Sequence, residues 1–299
     1  MRSLLLNMIV LLAQAPAAQN PSPMVEYARA HERIAQGTPP GVERTFPGPL
    51  DRPVQVFVPA RISSRCGATL DVVVHFHGAA FVAEHAISRS RRDSIVAVVN
   101  VGSGGGAYDR AFSDPAVVDA LLGDIQKEAA AACRRAVTLD GITLSGFSAG
   151  YGAVRAILRE PRFFERVSAV LLLDGLHASY VPGNTVLAAG GTIDESALDV
   201  FGRLARVAAR GGKAFLITHS EIFPGTFAST TETTDVLIRA LGLRRTPVLR
   251  WGPGGMQQVS QAGSGRLRIL GFAGNTAPDH IDHLHGMGDF LRRLEDLGR

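Results

Sequence analysis

Gly146-Phe147-Ser148-Ala149-Gly150 is the stretch of this chain best equipped to do chemistry. It is a G-x-S-x-G pentapeptide. Ile142, Thr143 and Leu144 precede it as an apolar run that reads as a buried strand, and Ala149, Ala153, Ala156 and Ile157 follow at helical spacing. A strand, a sharp turn and a helix with a serine at the apex is the context a nucleophile elbow requires. The flanking glycines let strand and helix backbones approach where a β-carbon would clash. The serine hydroxyl is then exposed at the carboxyl end of the strand. The N–H of Ala149, at the start of the helix, points where an oxyanion would form.

A serine hydroxyl is a weak nucleophile until a base is held beside it. The segment Asp279-His280-Ile281-Asp282-His283-Leu284-His285 supplies three imidazoles. His280 comes after a loop and just before the helix is expected to begin, which puts it at the rim and makes it the first candidate. His283 and His285, expected on the helix itself, are the alternates. The imidazole in turn needs a carboxylate to hold its tautomer. Asp174 closes the apolar strand Val167 to Leu173, so its carboxylate is expected at the sheet's edge, and it is the preferred acid. Glu221, after the next strand Lys213 to Thr218, stays open as the alternative.

The second oxyanion donor is expected from His77-Gly78-Ala79-Ala80, which follows the strand Leu70 to Phe76. Gly78 would turn the backbone so that the amide of Ala79 or Ala80 faces the serine. His77, Phe147 and Tyr108 are expected around the substrate. Tyr108 would come from Gly102-Ser103-Gly104-Gly105-Gly106, read as a flexible loop forming a wall of the acyl pocket. That run lacks the Lys-Ser/Thr of a phosphate-binding loop. His75 reads as a core histidine with its hydrogen bonds met. His280 and His283 share a helical face, but no companion ligand cluster stands near them in sequence, so no metal is expected.

The elements that must position these groups alternate. Strands are expected at Val54 to Val58, Leu70 to Phe76, Ser94 to Val101, the elbow strand, Val167 to Leu173, Lys213 to Thr218 and Arg266 to Gly271. Helices are expected at Ala116 to Arg135, after the serine, at Ser196 to Arg210, at Thr231 to Leu241 and from Ile281 onward. Near-continuous apolar strands separated by helices mean a mostly parallel sheet covered on both faces. The expectation is a three-layer α/β/α sandwich with about eight strands. Residues 175–196 could form a small cap, and Thr246 to Ser264 reads as an irregular insertion or a hairpin.

The chain has 299 residues, a net charge of +4 and scattered arginines, without the concentrated basic stripe of a nucleic-acid-binding surface. Met1-Arg2, an apolar stretch from Leu4 to Ala13 and Ala15-Pro16-Ala17 read as a cleaved signal peptide over residues 1–17. The apolar stretch is too short to span a bilayer, which takes roughly twenty residues. Pro16 to Pro23 reads as a spacer and Met24 to Gln36 as a helix. Residues 18–299 are then one catalytic domain, secreted or periplasmic. In that setting Cys66 and Cys133 can pair, because each is expected at the same end of the sheet; two unpaired thiols are the alternative.

G-F-S-A-G, H-F-H-G-A-A and D-H-I-D-H-L-H, over residues 54–297, resemble the α/β-hydrolase fold superfamily and look most like secreted bacterial esterases and lipase-like hydrolases. The resemblance implies Ser148 as nucleophile, His280 as base, Asp174 as acid, and Ala79 and Ala149 as oxyanion donors. It implies two-step acyl transfer with no metal or organic cofactor, and does not name a substrate; the leading expectation is a carboxylic ester, small or carbohydrate-linked. The superfamily usually places the acid one strand later, which keeps Glu221 in play. A serine peptidase or amidase would need substrate-gating surface for which the chain has no spare length. A catalytically silent binding protein would have no need of an elbow.

Overall fold

Residues 33–50 and 52–298 are described by the computed structural model. The expected signal peptide, the spacer and most of the expected helix at residues 24–36 lie outside the described residues. Residues 33–36 are irregular rather than helical.

The strands are β1 (Gly41–Pro47), β2 (Pro53–Pro59), β3 (Thr69–Phe76), β4 (Ser94–Val99), β5 (Thr138–Phe147), β6 (Val167–Leu173), the short β7 (Tyr180–Val181) and β8 (Thr192–Ile193), β9 (Ala214–His219), β10 (Thr246–Trp251), β11 (Gln257–Ser264) and β12 (Leu267–Phe272). Ten of them form one sheet in the order β1-β2-β4-β3-β5-β6-β9-β12-β11-β10. The middle six, β4 to β12 in that order, run parallel. Two antiparallel strands flank them on each side. The core strands are mostly apolar, as strands covered on both faces should be, and every residue of β4 and of β9 is buried.

The helices are α1 (Ala60–Ser63), α2 (Ala80–Ser88), α3 (Gly105–Ala111), α4 (Pro115–Cys133), α5 (Tyr151–Arg159), α6 (Pro161–Arg166), α7 (Asp199–Ala209), α8 (Thr230–Ala240), α9 (Ala277–His285) and α10 (Met287–Leu297). One face of the sheet packs Leu121, Ile125, Val154, Ile157, Phe201 and Leu237 from the helices of that side. The other face packs Val82, Ile87, Leu284, Phe290, Leu291 and Leu294 from α2, α9 and α10. This is the three-layer α/β/α sandwich, with ten strands where about eight were expected. The extra pairs are at the edges. Residues 246–264, expected to be irregular or a hairpin, form β10 and β11 and extend the sheet. β10 is the exposed edge strand, and β11 beside it buries only alternate residues along most of its length, so neither leaves a continuous apolar run in the sequence.

The glycine run expected as a flexible loop is loop only over Gly102-Ser103-Gly104; Gly105 and Gly106 begin α3. A β-carbon on Gly105 would lie 2.5 Å from the Tyr151 ring, and one on Gly152 would lie 2.0 Å from the Gly105 carbonyl oxygen. These glycines are there for close approach between α3 and α5, not for mobility. Residues 175–198 make an excursion between β6 and α7 that contains the β7–β8 hairpin.

Cys66 and Cys133 form a disulfide, Cα atoms 5.7 Å apart, joining the segment that enters β3 to the end of α4. Arg33 donates to Asp282 Oδ1 at 2.8 Å and to the Pro278 carbonyl at 2.8 Å, and the Ile34 N–H donates to His285 Nδ1 at 3.1 Å. The first described residues therefore cross α9.

Candidate active site

The parallel strands all end at one edge of the sheet, and the chemically able residues gather there. β3 delivers His77, β4 Asn100, β5 Ser148, β6 Asp174 and β9 Ser220, while α9 returns over the same edge from β12. β5 lies in the middle of the sheet, so Ser148 is flanked by strand ends on both sides.

Ser148 has a backbone φ of 47°, the left-handed conformation of a serine at the apex of an elbow. Its flanks force that turn. A β-carbon on Gly150 would come within 2.0 Å of the Phe76 carbonyl oxygen, and one on Gly146 within 2.8 Å of the Gly150 backbone. A short 3₁₀ turn, Ser148–Gly150, leads into α5, so the Ala149 amide sits at a helical N-terminus.

Asp174 is 2 % exposed and carries four hydrogen bonds. Its Oδ1 accepts from the Ser220 N–H at 2.8 Å and the Thr230 hydroxyl at 2.7 Å. Its Oδ2 accepts from the Ser220 hydroxyl at 2.7 Å and from His280 Nδ1 at 2.7 Å. Burial opposes the charge on this carboxylate. The surrounding imidazoles, His283 first and then His280, and the donated hydrogen bonds outweigh burial and hold the group well below the usual carboxylate range. Asp174 therefore stays ionised. Since the carboxylate accepts, His280 carries its proton on Nδ1, which leaves the Nε2 lone pair facing away from Asp174.

His280 sits in the first turn of α9 rather than ahead of it. Thr276 and Asp279 form a capping box: the Thr276 amide and hydroxyl donate to Asp279 Oδ2 at 2.8 and 2.6 Å, and Pro278 lies in the first turn. That box starts the helix before His280 and fixes where its ring leans. The ring packs on Phe147, the residue before the serine, with centroids 4.5 Å apart.

The alternates are engaged elsewhere. His283 is buried and its Nδ1 lies 2.8 Å from Thr218 Oγ1. His285 Nδ1 accepts from Ile34, and its ring meets Phe81 edge-on. The Glu221 amide donates to the Gly274 carbonyl at 2.9 Å, and Glu221 Oε2 accepts from the Gly274 amide. Glu221 thus braces the loop before α9, while Asp174 meets His280.

The H-F-H-G-A-A loop turns beside the elbow, with His77 at φ 71° and Gly78 at φ 130°. The Gly78 N–H donates to Asn100 Oδ1 at 2.9 Å. Gly78 was among the expected oxyanion residues; its amide is committed to Asn100, so it shapes the loop and Ala79 is the candidate donor. Ala79 is the N-cap of α2.

Tyr108, expected to line the substrate pocket, is fully buried on α3. Its hydroxyl accepts from the Val101 N–H at 3.1 Å and lies 3.0 Å from His77 Nδ1. Tyr108 supports His77 from behind. His77 stacks on Phe147, and Phe147 is itself buried between the rings of His77 and His280. Burial first, and then the neighbouring His280, hold His77 below the ordinary imidazole range. His75 is fully buried, with Nδ1 2.9 Å from Ser145 Oγ, but its Nε2 has no partner, so only one of its two nitrogens is satisfied. Burial pushes it down to about 3.

Ser220, Thr230 and Asn100 escaped the sequence reading. The available signal was position: Ser220 and Asn100 directly follow core strands, as Ser148 and Asp174 do. Among the described residues no group of three or more His, Cys, Asp or Glu is arranged to hold a metal ion, and no helix is long and apolar enough to cross a membrane. A cavity of about 570 Å³ opens at the opposite edge of the sheet, among Asp71, Arg92, Lys213 and Arg266, away from Ser148.

Comparison with known structures identifies the architecture as the α/β-hydrolase fold. The chain is similar to ferric enterobactin esterase from Salmonella typhimurium, with a TM-score of 0.52 and 12% identity over 88% of this chain and 60% of that one. It is also similar to a feruloyl esterase module from Clostridium thermocellum (TM-score 0.46, 13% identity, 88% and 96% covered) and an ester-hydrolase from the metagenome of Lake Arreo (0.49, 11%, 92% and 87%). No protein-family model matches the sequence, and no curated protein sequence matches it.

Proposed function

We propose that this protein is a serine hydrolase that cleaves carboxylic esters at Ser148. The observation that carries the reading is the 2.7 Å contact between His280 Nδ1 and Asp174 Oδ2, on a ring packed against the residue preceding the serine. His280 Nε2 takes the proton as Ser148 Oγ bonds to the ester carbonyl carbon, and the carbonyl electron pair moves to oxygen. The Ala149 and Ala79 amides hold that oxyanion. As the intermediate collapses, the bond to the leaving oxygen breaks and His280 returns the proton to the departing alcohol. Water repeats the cycle on the acyl-enzyme, with His280 again the base. Every group is supplied by the chain itself. The fold is one that includes esterases, the enterobactin esterase among them.

The reading extends to organisation and location. Residues 18–299 act as one catalytic domain, with residues 175–196 as a small cap. Residues 1–17 direct the chain out of the cytosol, and the Cys66–Cys133 disulfide suits an oxidising compartment. The substrate is a small or carbohydrate-linked ester.

The test is hydrolysis of p-nitrophenyl esters from acetate to decanoate by the wild type and Ser148→Ala, alongside fluorophosphonate labelling. Turnover and labelling that both vanish in the variant are expected. A wild type that neither turns over any ester nor labels would overturn the reading.

A further inference from the structure

A second imidazole stands beside the site without a part in acyl transfer. His177 lies three residues beyond Asp174, on a backbone pressed against the elbow: a β-carbon on Gly175 would lie 2.5 Å from the Ser148 carbonyl oxygen. Its ring meets Tyr151, one turn along α5 from Ser148, edge-on with centroids 5.6 Å apart. On another side it meets Phe227 edge-on at 4.9 Å.

The hydrogen bonding fixes its tautomer. His177 Nδ1 lies 3.0 Å from the Ala228 carbonyl oxygen. A carbonyl only accepts, so Nδ1 carries the proton. The Ala228 N–H donates back to the Ala178 carbonyl at 2.9 Å, which zips the two segments together and leaves the ring little freedom. Burial lowers the affinity of this imidazole for a second proton; the Ala228 bond and Asp174 oppose that, and His280 adds to it. Nε2 is then a bare lone pair, and it is not among the buried polar atoms without a partner. Phe227 and Phe223, in the loop that supplies Ala228, are 40 % and 46 % exposed, so the acceptor is bordered by apolar surface.

We infer that His177 is a specificity-determining residue: its Nε2 accepts a hydrogen bond from a hydroxyl on the substrate, and Tyr151 and Phe227 hold the carbon skeleton beside it. The inference rests on the esterase reading and names a chemical class within it, esters that carry a hydroxyl donor. The donor is a phenol or an aliphatic alcohol, and paired substrates separate the two.

The experiment measures kcat and KM for p-nitrophenyl 4-hydroxyphenylacetate against phenylacetate, p-nitrophenyl 3-hydroxybutyrate against butyrate, and ethylene glycol monoacetate against ethyl acetate. The last pair puts the hydroxyl on the alcohol side. Wild type is expected to favour the hydroxylated member of at least one pair by about tenfold in kcat/KM, the size of one neutral hydrogen bond. His177→Phe keeps the ring but removes the acceptor. It should lower kcat/KM for the hydroxylated member of that pair by more than for its plain partner, so that the preference disappears, and His177→Gln, which restores an acceptor oxygen, should recover part of it. Fluorophosphonate labelling of Ser148 in each variant reports whether the catalytic site is intact. A labelled wild type with no preference in any pair, or a preference that persists in a labelled His177→Phe, would overturn the inference. A wild type that does not label overturns the esterase reading instead.

Discussion

Asn100 grips Gly78 with both ends of its amide: Oδ1 accepts the Gly78 N–H at 2.9 Å, and Nδ2 donates to the Gly78 carbonyl at 3.0 Å. The residue after the outer parallel strand β4 thus sets the conformation of the loop after β3, next to Ser148. A glycine at φ 130° would otherwise sample many conformations, and Ala79 would move with it.

Asn100→Ala removes that clamp without touching a reacting group. We expect kcat to fall by about tenfold to a hundredfold, the scale of a weakened oxyanion donor, with KM little changed. Steady-state kinetics on one p-nitrophenyl ester check it. A higher KM at constant kcat would mean that the loop contacts ground-state substrate instead.

The two candidate acids separate cleanly by substitution. Asp174→Asn should lower kcat by about a thousandfold or more, because His280 loses the partner that holds its tautomer. Glu221→Gln keeps an acceptor for the Gly274 amide and should stay within about threefold of wild type. Melting temperatures of both variants separate lost chemistry from lost fold. Comparable losses in the two would assign the acid's role to neither residue alone.

Acid should destabilise this protein earlier than carboxylate titration alone would. His75 and His219 are neutral in the fold, both pushed down to about 3 by burial, His219 further by Arg245. An unfolded histidine titrates near 6.5. Between those values the unfolded chain binds more protons than the native one, so stability falls as pH drops below about 6.5, by about 1.4 kcal/mol per pH unit for each histidine. Glu84 works the other way: burial, with Glu43 nearby, raises it to about 7, so its contribution declines as pH rises from about 4.5. Below about 4, protonation of unfolded Asp174 adds to the loss. Urea midpoints from pH 7.5 to 4.5 should decline, and His75→Asn should flatten the decline. A flat or rising curve toward acid would show that these histidines titrate normally.

The disulfide closes a 67-residue separation around β3, α2, β4, α3 and α4. Chain-entropy arguments put such a crosslink at about 4 kcal/mol. Cys66→Ser with Cys133→Ser should lower stability by up to that amount. It should leave kcat on p-nitrophenyl esters within about twofold, since the bridge lies at the end of the sheet away from Ser148. A large change in kcat with an unchanged melting temperature would contradict this.

The elbow, the strands of the parallel core and the groups at their ends were legible because each leaves a local mark: an apolar run, a turn residue, a polar residue just past it. Asp174 was legible because Asp-Gly closes its strand directly. What escaped depends on contacts between distant segments. Thr230 reaches Asp174 across 56 residues, and Asn100 reaches Gly78 across 22. Tyr108 looked like a pocket residue because the glycines ahead of it suggested mobility. Those glycines serve a close helix crossing that only the tertiary structure reveals. Residues 246–264 read in sequence as either an irregular insertion or a hairpin, and they form the β10–β11 hairpin; the ambiguity arises because strands at a half-exposed sheet margin need not be apolar.

Arg33 and Ile34 clasp α9, the helix that carries His280, through Asp282, Pro278 and His285. The first described residues are therefore coupled to the helix that carries the imidazole at the centre of the site. A substitution that loosens residues 33–34 acts on His280 through α9, at a distance from the serine and without touching any reacting group.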